Sequence, residues 1–267
     1  MLDRRKFTTL TLAAPPLLAL PGARAQAAPA GEILRLPTRD GVQVPLFAAW
    51  NPHAIATLLL WPGGAGGYGT PDADGWPGSA NFLVRTGKLW AARAFNVVMV
   101  GRPSDGIDLS DGAVRIGEAH AADNQAVLRA VRQRSPLPLW LVGTSMGTIS
   151  ATATAIRDTD HLAAGLVLTS SITALRIPGA VPRQDLARIT VPTLVVHHAH
   201  DACRSCIPRE AEGMLAAFTH APVKELAWVT SGAAPSGNPC GPLHYHGYIG
   251  AEQETVELIA GWIRRNG

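Results

Sequence analysis

The sequence predicts an α/β fold with a mostly parallel, doubly wound sheet, and two features indicate it. Six short apolar runs lack the polar alternation of a half-exposed strand, which is typical of strands buried on both faces. These runs are residues 56–61, 95–100, 137–143, 165–169, 192–197 and 225–229. Segments with a helical spacing of apolar residues lie between several of them, and strands that alternate with helices form parallel sheets covered on both faces.

The remaining elements follow from turn residues and apolar spacing. Residues 33–36 and 42–48 flank the turn Arg39-Asp40-Gly41 and are predicted to form an antiparallel hairpin at the start of the sheet. Helices are predicted at residues 116–133, 146–157, 209–218 and 252–265. About 20 residues separate the fourth buried strand from the fifth, which leaves room for one helix and a loop but not for a cap domain.

Composition and charge exclude some classes of function. The 267 residues are 47% hydrophobic and 16% charged, as expected of a chain with a large core. The formal net charge of +3 lies entirely in residues 1–25, and the rest of the chain is formally neutral. The protein therefore has no electrostatic case for a nucleic-acid partner.

The N-terminal segment is predicted to be an export signal. Arg4, Arg5 and Lys6 precede an uncharged stretch, and Ala23-Arg24-Ala25 fits an A-x-A cleavage site. The arginine pair resembles a twin-arginine signal, and an ordinary secretory signal is the alternative. Residues 1–25 are thus predicted to be a signal peptide and residues 26–267 the mature domain. We expect a periplasmic or secreted protein with no membrane attachment after cleavage, in a compartment that permits disulfides.

One sequence motif is typical of a catalytic serine. Gly143-Thr144-Ser145-Met146-Gly147 is a G-x-S-x-G sequence that follows an apolar strand and opens a helical segment. That context is the one a nucleophile elbow requires, because the sharp turn lifts the serine above the sheet and leaves no space for side chains at the flanking glycines. A serine hydroxyl needs a base, and the base needs a carboxylate that orients it.

The order of the remaining candidates resembles the α/β-hydrolase superfamily over nearly all of the mature chain. The resemblance implies the α/β-hydrolase fold, here without a large cap domain because of the short connection noted above, and an acid and a histidine that follow the serine in that order. Asp201 follows a late strand, and His246-Gly247-Tyr248 precedes a last helix that contains Trp262. Asp201 and His246 are therefore the predicted acid and base, and His244 is the alternative base.

The resemblance also implies an oxyanion hole of two backbone N–H groups. Met146 supplies the first, and a glycine-rich loop after the first buried strand supplies the second, with Gly64 as the predicted donor and Ala65 as the alternative. Phosphate binding by that loop is disfavoured, since the sequence has neither a P-loop lysine pattern nor G-x-G-x-x-G.

Residues 197–206 (HHAHDACRSC) are rich in metal-binding side chains, and three interpretations are open: a zinc site, a redox pair and a structural disulfide. A zinc site lacks the usual second ligand pair, and a redox C-x-x-C normally opens an early helix. Secreted hydrolases that resemble this chain pair a cysteine beside the acid with one before the histidine loop. That resemblance implies a Cys203–Cys240 disulfide, with Cys206–Cys240 as the alternative, and no metal.

These candidates together predict a secreted serine hydrolase that cleaves a carboxylic ester or related acyl bond of a small-molecule substrate. We expect Tyr68 and Trp76 to contribute to the substrate pocket, and no cofactor. The alternatives are a hydrolase-fold binding protein without turnover, and a metal or redox protein that uses residues 197–206. Substrate identity and oligomeric state are not predicted.

Overall fold

The computed structural model describes residues 28–267, so the predicted signal peptide at residues 1–25 lies outside the described part of the chain. Eight strands form one sheet: β1 (Gly31–Arg39), β2 (Val42–Ala49), β3 (Ala56–Trp61), β4 (Phe95–Val100), β5 (Leu139–Thr144), β6 (Ala163–Thr169), β7 (Thr193–His198) and β8 (Lys224–Val229). Each predicted strand overlaps one of these eight strands.

The sheet order is β1-β2-β4-β3-β5-β6-β7-β8. Strands β3 to β8 are parallel to one another, while β1 pairs with β2, and β2 with β4, in antiparallel fashion. The prediction of a mostly parallel sheet that begins with an antiparallel hairpin is confirmed. Because β3 and β4 lie on one side of β5 and the later strands on the other, the order in which strands are added to the sheet reverses beside β5. The carboxyl end of β5 is where ligands bind in open sheets of this kind.

Seven α-helices are present among residues 28–267: α1 (Phe82–Arg85), α2 (Gly87–Ala91), α3 (Gly112–Ile116), α4 (Glu118–Arg134), α5 (Met146–Ile156), α6 (Ala211–Ala216) and α7 (Glu252–Asn266). Buried side chains of α1, α2 and α7 belong to the apolar cluster on one face of the sheet. Those of α4, α5 and α6 belong to the cluster on the other face. Successive strand residues alternate between the two clusters, so the inner strands are buried on both faces, as predicted.

Several predicted helices differ from those in the structure. The helix predicted at 116–133 is two helices, because Gly117 adopts an extended conformation (φ −68°, ψ 159°) and ends α3 before α4 begins. The helix predicted at 209–218 is a short 3₁₀ turn, Pro208–Glu210, followed by α6. The apolar spacing of the sequence does not predict α1 and α2.

The connection between β6 and β7 contains two 3₁₀ turns, Val181–Arg183 and Leu186–Arg188, where one helix was expected. Pro178, Pro182 and Pro192 lie in this connection, and proline disfavours a continuous helix. The segment stays short, which leaves the carboxyl edge of the sheet free of a cap domain in the part of the chain that the structure describes. Across residues 28–267, no helix is both long and apolar enough to cross a bilayer.

Candidate active site

Ser145 lies at a sharp turn between β5 and α5. Its backbone has φ 53° and ψ −126°, a conformation with positive φ that costs a residue with a Cβ about 1–3 kcal/mol. The turn is held by the Ser145 N–H, which donates to the Thr169 carbonyl at 3.0 Å. The Thr148 hydroxyl donates to the Ser145 carbonyl at 2.6 Å. Strain that the surrounding hydrogen bonds maintain in this way is typical of a residue positioned for chemistry.

The glycines on either side of the turn are required by close backbone contacts. A Cβ on Gly147 would lie 1.9 Å from the Trp61 carbonyl oxygen, and a Cβ on Gly143 would lie 2.6 Å from the Gly147 carbonyl oxygen. Backbone atoms cannot move away as a flexible side chain can. Only glycine therefore fits at both positions of the G-x-S-x-G motif.

Asp201 and His246 meet beyond the end of β7. The His246 Nδ1 lies 2.9 Å from the Asp201 Oδ2, and both side chains are buried. The other carboxylate oxygen accepts the Cys203 N–H at 2.8 Å. Because an ionised carboxylate is only an acceptor, Nδ1 carries the ring proton in this pair, which leaves Nε2 as the basic nitrogen. His244, the alternative base, makes no hydrogen bond to Asp201.

Hydrogen bonds other than those to the acid fix the histidine loop. The Ser170 hydroxyl donates to the His246 carbonyl at 2.8 Å. The buried Tyr248 hydroxyl donates to the Val196 carbonyl at 2.8 Å and accepts the Ser170 N–H at 3.0 Å. Burial raises the pKa of Tyr248, so its phenol keeps the proton that it donates. The ends of β6 and β7 therefore hold the position of His246.

The glycine-rich loop after β3 packs directly against the serine. A Cβ on Gly63 would lie 2.9 Å from the Ser145 Cβ, so the loop backbone passes beside the nucleophile candidate. The Gly66 N–H donates to the Gly63 carbonyl at 3.0 Å, and Gly64 has a φ of +59° within this turn. On the other side of Ser145, Met146 begins α5. The two predicted oxyanion donors, Gly64 and Met146, thus belong to segments on either side of Ser145.

Arg115 fixes the glycine-rich loop from behind, and sequence reasoning did not identify it. Its side chain is 1% exposed and donates to the Gly64 carbonyl at 2.9 Å and the Leu109 carbonyl at 2.6 Å. Among residues 28–267, no carboxylate forms an ion pair with it. Burial lowers the pKa of Arg115 to about 9, which still leaves the guanidinium charged at neutral pH. A buried positive charge therefore lies next to the backbone of the proposed oxyanion hole.

Ser150 and His120 continue this network below the loop. Arg115 donates to the Ser150 hydroxyl at 2.8 Å, and that hydroxyl lies 2.9 Å from the His120 Nε2. The Ser150 hydroxyl accepts from the guanidinium and shares a second hydrogen bond with the imidazole of His120. Burial, with a contribution from Arg115, lowers the pKa of His120 to about 4. His120 is therefore neutral at pH 7.

A cleft of about 230 Å³ opens beside Ser145 and His246. Its walls are formed by Gly63, Gly64, Ser79, Ala80, Asn81, Phe82, Thr144, Ser145, Cys240, Pro242, His246 and Gly247. The expectation that Tyr68 and Trp76 line the pocket is wrong, because both are buried against Phe47 in the core. Phe82 is the aromatic residue that reaches the cleft.

Sequence reasoning also missed a second anchor of the histidine loop. Arg85, at the end of α1, donates to the Gly247 carbonyl at 2.5 Å and to the Glu252 carboxylate at 2.8 Å. Arg85 could have been found from the sequence only if the helical pair α1 and α2 had been predicted, and the apolar pattern does not predict these helices.

The residues of segment 197–206 have separate roles in the structure. His197 and His198 end β7, as predicted. The Ser171 N–H donates to the His197 Nε2 at 3.1 Å, and the His198 Nε2 lies 2.8 Å from the Ser231 carbonyl oxygen. Cys203 is bonded to Cys240, as the resemblance implied. His200 is exposed.

Cys206 is the free cysteine, and it is buried beside the serine. Burial raises the pKa of the Cys206 thiol well above its usual value, and the Asp201 carboxylate adds to the rise, while a hydrogen bond with the Ser145 side chain opposes it. The thiol therefore stays protonated at neutral pH, and a protonated thiol is a poor nucleophile.

Comparisons with solved structures identify the fold. The dienelactone hydrolase of Anabaena variabilis superposes with a TM-score of 0.64 at 13% identity, over 90% of this chain and 99% of that one. An esterase of Pyrococcus furiosus gives a TM-score of 0.63 at 14% identity, over 96% and 99%. An α/β serine hydrolase homologue from Coxiella burnetii gives 0.60 at 16%, over 88% and 98%. The chain therefore has the α/β-hydrolase fold, as the sequence predicted.

No protein-family model matches the chain, and no curated protein matches its sequence.

Proposed function

We propose that the protein is a serine hydrolase that cleaves a carboxylic ester, or a related acyl bond, of a small molecule. The observation that carries this proposal is the buried Asp201–His246 hydrogen bond of 2.9 Å, which lies at the cleft containing the strained Ser145. The hydrolases and esterases that share the fold support the same reaction class.

In the proposed mechanism, the Ser145 hydroxyl attacks the substrate carbonyl and His246 accepts its proton at Nε2. Asp201 keeps the proton on Nδ1 and stabilises the imidazolium that forms. The tetrahedral intermediate collapses to an acyl-enzyme when His246 returns the proton to the leaving alcohol. Water, deprotonated by the same histidine, then releases the acid and restores Ser145.

The backbone N–H groups of Gly64 and Met146 are the proposed donors to the oxyanion. Preorganised donors of this kind contribute about 3–4 kcal/mol each to stabilisation of the transition state. Gly64 is exposed at the cleft, and its φ of +59° supports a loop shaped to present backbone rather than side chains. The buried charge of Arg115, bonded to the Gly64 carbonyl, favours negative charge nearby.

The size of the cleft supports a small substrate. At about 230 Å³ it lies below the range of about 300–1,000 Å³ that is usual for sites of drug-sized ligands. Glycine, alanine and serine form much of its wall, with Phe82 and Pro242 as the larger apolar surfaces. We infer that a short acyl group binds in the cleft and that the alcohol portion extends towards solvent.

Export through the predicted signal at residues 1–25 is part of the proposal. The Cys203–Cys240 disulfide supports a compartment in which disulfides persist, such as the periplasm or the cell exterior. The twin-arginine route is inferred from the Arg4-Arg5 pair alone.

The test compares the parent protein with a Ser145→Ala variant. We expect the parent to hydrolyse short p-nitrophenyl esters and to be labelled by a fluorophosphonate at Ser145, and the variant to lose both properties. Ser110→Ala, an exposed serine outside the cleft, is the matched control and should behave as the parent. Equal labelling of the parent and Ser145→Ala would refute the assignment. A folded parent that is inert towards ester, thioester and amide panels would instead favour a binding protein without turnover.

A further inference from the structure

Three side chains of types that can bind soft metals lie close together near Ser145. Donor atoms of Cys203, Cys206 and His246 all lie within 4.8 Å of one another, and all three residues are buried. The cysteines belong to a tight turn in which the Cys206 N–H donates to the Cys203 carbonyl at 3.1 Å. C-x-x-C turns of this kind supply half of many structural zinc sites.

A fourth donor lies next to these three. Cys240 is bonded to Cys203 in the disulfide, and it lines the same cleft as His246. Reduction of the disulfide would leave three thiols and one imidazole together.

We propose that the protein with its disulfide reduced binds one zinc-like cation, Zn²⁺ or Cd²⁺, through Cys203, Cys206, Cys240 and His246. Three cysteines and one histidine are a common structural ligand set for zinc. In the oxidised protein the Cys203 and Cys240 sulfurs are bonded to each other, so the set exists only after reduction.

The reduction balances with a dithiol as the electron donor. Two electrons and two protons pass from the dithiol to the Cys203–Cys240 bond, which gives two thiols and the oxidised, cyclic disulfide of the donor. Metal binding then displaces the protons of the three thiols to solvent, because thiolate is the ligand form.

The donors should stay together after reduction. The His246 loop is held by Ser170 and Arg85 as well as by the disulfide, and these contacts do not depend on sulfur oxidation. The tight turn at Cys203–Cys206 likewise depends on a backbone hydrogen bond. Reduction therefore frees Cys240 while leaving the other three donors close to their present positions.

Metal binding at this site would remove the proposed catalytic base. A nitrogen that coordinates the metal has no free lone pair to accept the Ser145 proton, and a bound cation would also hold the ring away from its productive position. The expected inhibition rests on the proposed hydrolase function, whereas the binding itself does not.

The binding test titrates the mature protein with Cd²⁺, used as a spectroscopic probe for zinc, before and after reduction by dithiothreitol and its removal without oxygen. The reduced protein should bind one equivalent and develop the ultraviolet sulfur-to-cadmium charge-transfer absorption of three thiolates. The oxidised protein should develop none. Reduced protein that remains folded by circular dichroism and shows no such absorption would overturn the proposal.

Two variants assign the ligands. Cys206→Ala should weaken cadmium binding by at least about tenfold, since even loss of an outer partner of a metal ligand costs about 10–100-fold. His53→Gln replaces an exposed histidine far along the chain from the cluster and should bind as the parent does. Unchanged affinity in a folded Cys206→Ala variant would contradict the assignment. Because the absorption does not depend on turnover, its failure can be told apart from a failure of the proposed esterase activity.

Discussion

Arg115 does not line the cleft, but it contacts the backbone of Gly64, a residue that does. It holds the Gly64 carbonyl from the protein interior, and its charge has no carboxylate partner in the described part of the chain. A buried unpaired charge costs free energy unless hydrogen bonds compensate it. Here the three acceptors are two backbone carbonyls and the Ser150 hydroxyl. Any loop conformation that lost these acceptors would leave the buried charge uncompensated, so one loop conformation is favoured.

Arg115→Met should lower kcat by about 10- to 100-fold, because a shift of about 1 Å in a catalytic group has effects of this size. KM should change little, since Arg115 does not line the cleft. Steady-state kinetics with a short ester would measure both values. Arg115→Lys keeps the charge and should restore part of kcat. Arg129→Met, at an exposed arginine of α4, is the control. A rise in KM with an unchanged kcat would show that Arg115 does not position the oxyanion loop.

At the scale of single residues, the order of strands, helices and motifs along the chain predicts some residues of the candidate site but not others. Ser145, Asp201 and His246 each follow a strand or precede a helix in a recognisable order, so their candidacy can be inferred from sequence. Arg115 and Cys206 act through contacts between segments distant in the chain, and no local pattern marks such contacts. The erroneous placement of Trp76 has the same origin, because an aromatic residue in a loop sequence does not reveal which way its ring faces.

At the scale of elements, the junction between β5 and α5 is the most constrained part of the molecule. The helix starts so close to β3 that the Gly147 backbone touches the Trp61 carbonyl. By contrast, Gly213 lies on the exposed face of α6, where a Cβ would have no neighbour within 4 Å. The two helices therefore contain glycine for different reasons, only one of which is steric.

Gly147→Ala should prevent the native junction from forming and yield a protein that is insoluble or loses its cooperative thermal transition. Gly213→Ala should raise the free energy of unfolding by about 0.5–1 kcal/mol, as expected for glycine replaced by alanine inside a helix. Thermal or urea unfolding followed by circular dichroism would measure both. A Gly147→Ala variant with parental stability and activity would contradict the steric reading of the junction.

Prediction of elements succeeded where one physical signal dominated. Strands buried on both faces are continuously apolar, and β3 and β4 lie at the predicted bounds. The helical pair α1 and α2 was missed because each is four or five residues long, too short for an apolar period to develop. Residues 170–192 are long enough for a helical connection, but their prolines disfavour a continuous helix.

At the scale of the whole molecule, two buried histidines, His120 and His197, make the free energy of unfolding depend on pH. Burial lowers the pKa of both His120 and His197 to about 4, from about 6.5 in an unfolded chain. Below pH 6.5 the unfolded chain therefore binds more protons than the native protein. Their contribution to stability is fully present above pH 6.5 and is lost as the pH falls towards 4.

The free energy of unfolding should fall by about 1.4 kcal/mol per pH unit for each histidine between pH 6 and pH 4.5, since one unit of pKa corresponds to 1.36 kcal/mol. Urea unfolding at a series of pH values would measure the slope. His120→Gln should flatten it by about half, whereas His53→Gln, at an exposed position, should leave it unchanged. An identical slope in His120→Gln and the parent would exclude His120 as a source of the dependence.

The disulfide has one more consequence, for how the molecule responds to mechanical force. It joins residues 37 apart in the chain, and the segment between them contains α6 and the edge strand β8. When the chain is pulled from its C-terminus, tension that has reached Cys240 passes through the sulfur bridge directly to Cys203. The edge strand is therefore bypassed by the applied load, and about 130 Å of contour length, at roughly 3.5 Å per residue, stays out of the stretched chain. Among the strands, β7 is therefore the first to bear force applied at that end, and the loop that contains Asp201 directly follows it.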